Sequence, residues 1–85
     1  MEKPNILVVE DEELMRTILR KLLEDEGYRV LTADSAENAL EIFMSAEVEL
    51  TLTDIRMAGM DGLAFLDRIK AIESEALVII MTAYS

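Results

Sequence analysis

Two different spacings of apolar residues alternate along the chain. Residues 6–9 form a continuous apolar run rich in β-branched side chains, a pattern typical of a strand that is buried on both faces. After four consecutive acidic residues, Leu14, Ile18 and Leu22 recur every four positions with polar residues between them, which predicts an amphipathic helix. Gly27 follows at the position where helices commonly end. The chain therefore opens with a strand and a helix.

The same alternation continues through the rest of the chain. Residues 28–33 are less apolar and predict an edge strand, residues 48–53 predict a third strand, and residues 76–81 predict a fourth, buried strand. Asp34 or Ser35 is a suitable N-cap for the second helix. Two helical stripes lie between these strands: Ala36, Ala39, Leu40 and Phe43, then Leu63, Leu66, Ile69 and Ile72. This βαβαβαβ order predicts one α/β domain with a parallel sheet and helices on its faces.

Composition narrows the chemistry that such a domain can perform. The 85 residues carry a formal net charge of −10, which argues against direct nucleic-acid binding because phosphates would be repelled. The same charge argues against polybasic attachment to a membrane, and no apolar run approaches the length of a membrane span, so we expect a cytoplasmic protein. Because the chain has neither Cys nor His, carboxylate chemistry remains: a hard metal ion or an aspartate nucleophile.

Polar side chains follow three of the four predicted strands. Glu10 and Asp11 follow the first, Asp54 the third and Thr82 the fourth. The carboxyl ends of parallel strands meet at one edge of a sheet, so these side chains converge if the three strands are neighbours. Close carboxylates repel one another unless a cation lies between them, and Mg²⁺ suits such ligands. Alternatively, the acids form only a solvated first helical turn, and Asp54 only shapes a turn.

Three segments resemble a known family. They are ILVVEDE at residues 6–12, LTDIRMAGMDG at residues 52–62 and VIIMTA at residues 78–83. Their order and spacing resemble those of the bacterial response-regulator receiver domain. The residues of these segments are most similar to those of receivers of the nitrogen-regulation class, whose proteins act on sigma-54 polymerase. The resemblance implies a flavodoxin-like parallel sheet with strand order 2-1-3-4. It also implies that residues 1–85 are the amino-terminal portion of a receiver, without its fourth helix, fifth strand and fifth helix.

The resemblance implies a role for each candidate residue. Asp54 is expected to be the phosphoacceptor, taking a phosphoryl group from a sensor histidine kinase. Asp11 would bind Mg²⁺ directly and Glu10 through water, with Asp54 and the backbone carbonyl of Arg56 as further ligands. Thr82 would donate its hydroxyl to a phosphoryl oxygen and act as the switch. The expected function is phosphorelay signalling in transcription regulation, with self-catalysed phosphoryl transfer and dephosphorylation but no other enzymatic activity.

Two departures from the family pattern shape further expectations. The family usually has Pro at the position of Ala58, and its phosphoryl-contacting Lys follows the fifth strand, whereas no Lys follows Lys70 here. We therefore expect slow phosphorylation, because one positive charge facing the phosphoryl group is missing.

The alternative to phosphorelay signalling is that the chain is a non-catalytic interaction or assembly fragment. An unpaired edge on the fourth strand also predicts a homo-oligomer, most simply a dimer that pairs these strands or exchanges elements between chains.

Overall fold

The computed structural model describes residues 3–57 and 59–81, in which strands and helices alternate as predicted. The strands are β1 (Asn5–Val9), β2 (Arg29–Ala33), β3 (Leu50–Asp54) and β4 (Leu77–Met81). The helices are α1 (Glu13–Asp25), α2 (Ala36–Ser45) and α3 (Gly62–Ile72). Every predicted element is present, and each strand end lies within two residues of its predicted place. No helix in the described part of the chain is both long and apolar enough to cross a membrane.

The four strands form one parallel sheet in the order β2-β1-β3-β4. This confirms the predicted order and the predicted edge position of β2. The register pairs Val9 of β1 with Thr53 of β3, and Thr53 with Ile80 of β4. Because β1 and β3 are adjacent at the centre of the sheet, their carboxyl ends lie side by side. The residues that follow them are therefore brought to the same place.

The main core lies on the face of the sheet that α2 and α3 cover. Leu7 and Val9 of β1 are fully buried there, together with Phe65 and Ile69 of α3. The small side chains of α2, of which Ala39 is fully buried, allow this helix to approach the strands closely. β1 is also buried on its other face, as its continuous apolar run predicts.

The opposite face of the sheet is covered only in part. There α1 contacts β1 and β2, yet none of its side chains is buried, and Leu14 remains 67% exposed. On the same side, Leu77 and Ile79 of β4 are 66% and 50% exposed. Val78 and Ile80, on the other side, are only partly buried, so the prediction of a buried fourth strand is wrong. The physical reason is that β4 is an edge strand and α1 lies over the other half of the sheet.

Local signals at the helix ends explain where the helices stop and start. Gly27 follows α1 with a φ of +95°, a conformation that glycine adopts without the steric cost of a Cβ. Ser35 is the N-cap of α2, where its side chain accepts a hydrogen bond from the Asn38 amide at 3.1 Å. Asp61 caps α3 in the same way, accepting from the Ala64 amide at 2.8 Å.

Gly62 lies where the first turn of α3 meets the end of β3. A Cβ at this position would lie 2.5 Å from the Asp54 carbonyl oxygen and 2.8 Å from the Ile55 Cα. The Gly62 amide also donates a hydrogen bond to the Ile55 carbonyl at 2.9 Å. Both neighbours are backbone atoms, so they cannot rotate away as a side chain can. Glycine is thus required sterically for α3 to begin directly against the residue that ends β3.

We expect Gly62→Ala to lower the free energy of unfolding by about 3 kcal/mol, because the methyl group would overlap backbone atoms. Gly27→Ala is the matched control: a Cβ there has open space, so only its positive φ should cost stability, about 1 kcal/mol. Urea unfolding measures both losses. Amide shifts of residues 54–56 should change in the first variant alone. Equal losses, or undisturbed shifts at residues 54–56, would contradict this steric role.

Candidate functional site

Three carboxylates meet at the carboxyl ends of the two central strands. Glu10 follows β1 directly, Asp11 comes next, and Asp54 is the last residue of β3. One oxygen from each of these three side chains lies within 4.8 Å of the others. The side chains converge because Val9 pairs with Thr53 in the parallel register, which brings the residues after them to one edge. The structure therefore brings together the three acidic residues that the sequence singles out.

Glu10 is held between the end of β1 and the start of α1. Its side chain is 5% exposed, and its Oε2 accepts a hydrogen bond from the Glu12 amide at 3.0 Å. Arg16 of α1 donates from Nη1 to the Glu10 backbone carbonyl at 2.9 Å. Arg16 is not among the predicted site residues, although its place one turn into the predicted helix is a usable signal. The Arg16 hydrogen bond holds the first turn of α1 against the end of β1.

Asp54 is less enclosed than Glu10 and its side chain is partly exposed. Its Oδ1 accepts a hydrogen bond from the Arg56 amide at 3.2 Å, an arrangement in which an aspartate orders the turn after it. Gly62 packs against the Asp54 backbone from behind. The Asp54 carboxylate is consequently oriented by its own loop and still accessible from solvent. Asp11 beside it is more exposed.

The electrostatics of this cluster are visible at Glu10. Burial raises the pKa of the Glu10 carboxyl above its ordinary value, because the ionised form is desolvated. The hydrogen bond from the Glu12 amide acts in the opposite direction, and contacts with Asp11 and Asp54 raise the pKa further. The pKa shift means that the ionised form of Glu10 lowers the stability of the folded chain. A cation among the three acids would offset that cost.

The geometry fits a hard divalent cation. Mg²⁺ prefers octahedral oxygen ligands at 2.0–2.1 Å, which places opposite ligands about 4.2 Å apart and leaves several positions for water. Three carboxylate oxygens within 4.8 Å of one another need only small side-chain rotations, or one bridging water, to meet that geometry. The exposure of Asp11 and the partial exposure of Asp54 leave room for retained waters.

Two of the positions named in the sequence-based predictions lie outside the described residues. They are Thr82, the expected phosphoryl hydrogen-bond donor, and Ala58, which stands where the family usually has Pro. Arg56 is described and exposed, and its amide contacts Asp54. Its carbonyl, the expected further ligand, stays a prediction.

Comparison with known proteins places this arrangement in a family. The model of the response regulator receiver domain matches residues 6–85. The chain belongs to the response regulator receiver domain family. The receiver is thus a signalling module of two-component response regulators.

Curated relatives resemble this receiver over nearly its whole length. Transcriptional regulatory protein ZraR of Escherichia coli K12 is 48% identical over 81 residues, which is 95% of this chain and 18% of the relative. DNA-binding transcriptional regulator NtrC of the same strain is 39% identical over 85 residues, all of this chain and 18% of the relative. This receiver thus spans less than a fifth of these relatives. They support the resemblance to receivers of the nitrogen-regulation class.

Solved structures share the fold. Response regulator TrrA of Thermotoga maritima, in complex with Mg²⁺-BeF, superposes with a TM-score of 0.92 at 40% identity, covering 96% of this receiver and 71% of TrrA. TrrA in complex with histidine kinase ThkA superposes with a TM-score of 0.91 at the same identity and coverage. The predicted flavodoxin-like architecture is confirmed by these matches and by the strand order 2-1-3-4.

We expect Glu10→Gln to raise the melting temperature of the metal-free receiver at neutral pH. The amide can still accept the Glu12 hydrogen bond but carries no charge. Because the pKa of Glu10 is raised on folding, the cost of its ionised form exists above that pKa and disappears as the pH falls through it. The gain should therefore vanish by about pH 4.

Thermal unfolding followed by circular dichroism at both pH values measures this difference. Glu41→Gln, at an exposed position of α2, is the control and should change the melting temperature little at either pH. A Glu10→Gln variant that is less stable than the parent at neutral pH would mean that the carboxylate stabilises the metal-free fold.

Proposed function

We propose that this receiver accepts a phosphoryl group on Asp54 from a phosphohistidine of a sensor histidine kinase, with Mg²⁺ bound by Asp11, Asp54 and Glu10. The observation that carries the proposal is the convergence of three carboxylate oxygens within 4.8 Å at the ends of the two central strands. Asp54 is the one of the three that ends a strand, and its carboxylate accepts the Arg56 amide while remaining partly exposed.

The proposed reaction asks the protein for alignment and charge balance. An Asp54 carboxylate oxygen forms a bond to phosphorus while the bond from phosphorus to the imidazole nitrogen breaks, and the imidazole leaves with the electron pair. The Arg56 amide donates a hydrogen bond to Oδ1 of Asp54 and so holds the carboxylate in place. Such transfers depend on positioning and electrostatics more than on covalent help. Bound Mg²⁺ would supply charge neutralisation between the anionic nucleophile and the phosphoryl oxygens.

The other protein groups in this proposal complete the phosphoryl environment. The backbone carbonyl of Arg56 is assigned as a further Mg²⁺ ligand. The Thr82 hydroxyl is assigned as a donor to a phosphoryl oxygen, which would couple phosphorylation to the protein surface. Arg16 acts indirectly, because its hydrogen bond to the Glu10 carbonyl keeps the start of α1 against the end of β1.

The names of related proteins support a histidine kinase as partner, Mg²⁺ as cofactor and a role in transcription regulation. TrrA has been crystallised with Mg²⁺-BeF and with histidine kinase ThkA, and the relatives ZraR and NtrC are named as transcriptional regulators. We therefore assign this receiver to a cytoplasmic phosphorelay that regulates transcription, with no direct nucleic-acid contact and no membrane attachment by this segment. Its only catalysis would be its own phosphoryl transfer and dephosphorylation.

The alternative, a non-catalytic assembly fragment, is not favoured by the family match at residues 6–85. It differs from the proposal in one measurable respect, since it requires no modification of Asp54. Self-association by pairing of β4 edges or by exchange of elements stays a prediction and is compatible with either function.

Mg²⁺ should bind weakly, because the exposed carboxylates leave several waters on the ion. Titration of the receiver with Mg²⁺, followed by amide NMR, should shift residues 10–12 and 54–56 and few others. Asp11→Asn should abolish these shifts, whereas Asp67→Asn, at an exposed position of α3, should retain them. The same ionic strength is kept with KCl. Shifts spread over the acidic surface, or shifts that survive in Asp11→Asn, would argue against the assigned ligands.

A small-molecule phosphodonor with Mg²⁺ should add one phosphoryl group to this receiver, detected by intact-protein mass. Asp54→Asn should abolish the addition, because an amide is a poor nucleophile of nearly the same shape, while Asp67→Asn should not. For the 85-residue chain we expect slow labelling, since none of its Lys residues follows Lys70 to face the phosphoryl group. Labelling that persists in Asp54→Asn would reassign the nucleophile, and a complete lack of labelling would favour the assembly fragment.

A further inference from the structure

A groove lies between the ends of α2 and α3, on the side of the sheet that carries the main core. We call it the α2–α3 groove. Its volume is about 610 Å³. Because α2 and α3 each connect parallel strands, both helices run back to the amino end of the sheet and end there. The groove therefore lies at the opposite end of the sheet from the carboxylate site. Its lining includes the apolar Met44, Val48 and Ile72 and the acidic Glu47, Glu49 and Glu73.

The apolar part of the groove is open to water. Ile72 is 49% exposed and Met44 is 70% exposed, whereas Val48 is partly buried and packs against the main core. No residue of α1 or β4 lines the groove, so it is separate from the uncovered side of the sheet. Removing these exposed apolar atoms from water would be favourable. The groove therefore suits a ligand that carries a large apolar side chain.

The rim of the groove is negative. All three of its glutamates are exposed, and the carboxyl ends of two helices, each with a partial negative charge, meet beside them. No Lys or Arg lines the groove, and the last turn of α2 has no basic residue. The basic residue in the last turn of α3 is Lys70, whose ammonium donates to the carbonyls of Ser74 and Ala76. The described chain therefore leaves this rim without a cation of its own.

Backbone hydrogen bonds hold the walls of the groove in place. The Asn5 side chain donates from Nδ2 to the Glu47 carbonyl at 2.6 Å, and the Glu49 amide donates to the Asn5 carbonyl at 3.0 Å. These contacts attach the connection between α2 and β3 to the start of β1. On the other wall, the Glu73 amide donates to the Ile69 carbonyl at 2.8 Å. A ligand would thus meet a preformed surface and lose little free energy to ordering it.

We propose that the α2–α3 groove binds a basic amphipathic segment of a partner protein. Such a segment presents a large apolar side chain to Met44, Val48 and Ile72, and Lys or Arg on either side of it to the glutamate rim. An acidic segment would be repelled by the rim, and a polar basic segment would leave the apolar floor in water. This interaction is additional to the proposed phosphoryl transfer and does not depend on it.

A synthetic helical peptide of Leu and Lys in amphipathic order is the probe. A peptide of the same composition in scrambled order, which has the same charge but no apolar face, is its control. Titration of the 85-residue chain, followed by amide NMR, should shift residues 43–49 and 72–73, and the scrambled peptide should bind roughly tenfold more weakly. Equal binding of the two peptides would overturn the proposal, and so would shifts centred on residues 14–22 or 77–80.

Substitution of Ile72 tests the apolar contact. Ile72→Ser should weaken binding of the amphipathic peptide by roughly fivefold, because less apolar surface is buried. Leu63→Ser is the matched control, since Leu63 lies on the same helix and is 54% exposed but does not line the groove. It should leave the affinity unchanged. Equal losses in the two variants would contradict the proposed site.

The chain has a net charge of −10, so attraction by the whole surface needs its own control. Glu47→Gln combined with Glu73→Gln should weaken binding by roughly fivefold at 0.15 M salt. Glu41→Gln combined with Asp67→Asn removes the same charge from exposed positions outside the groove and should have little effect. Circular dichroism establishes that both double variants stay folded. Equal weakening would mean that the peptide senses only net charge, and the proposal would then be wrong.

Discussion

The parallel pairing of β1 with β3 is the constraint on which the rest of this structure depends. It places two strand ends side by side at the centre of the sheet, and each ends in acidic residues. Hydrogen bonding and apolar burial along β1 hold this arrangement against the repulsion between the carboxylates. The pKa of Glu10 is raised first by burial of its carboxyl and further by the neighbouring carboxylates. The three acids thereby lie directly beyond β1, the most deeply buried strand of the sheet.

The groups around the site serve mainly to keep its geometry. Arg16 joins the first turn of α1 to the end of β1, and the Arg56 amide orients Asp54. Gly62 lets α3 start against the backbone of Asp54. Each of these contacts connects an element end to a strand end, so the carboxylates are positioned by backbone atoms and by short local loops. Such positioning suits phosphoryl transfer, in which alignment and charge balance are the main requirements.

The two faces of the sheet have unequal roles. One is covered by α2 and α3 and contains the main core. The other is covered by α1 alone and leaves alternate residues of β4 in contact with water. Most of the buried core therefore lies on one face, while the other leaves apolar side chains exposed. The carboxylate site lies at the strand ends rather than on either face of the sheet.

The sequence by itself determined the elements, their order and the three acids that meet. The continuous apolar run at residues 6–9 indicated a central strand, and Gly27 and Ser35 marked helix ends, because these signals are local. The strand order 2-1-3-4 followed from the family resemblance. Only the tertiary structure decided the burial of Glu10, the contact of Arg16 with the Glu10 carbonyl and the steric need for Gly62, since each depends on atoms from two elements. It also decided that β4 is exposed on one face, because an apolar strand has the same local pattern whether or not a helix lies over it.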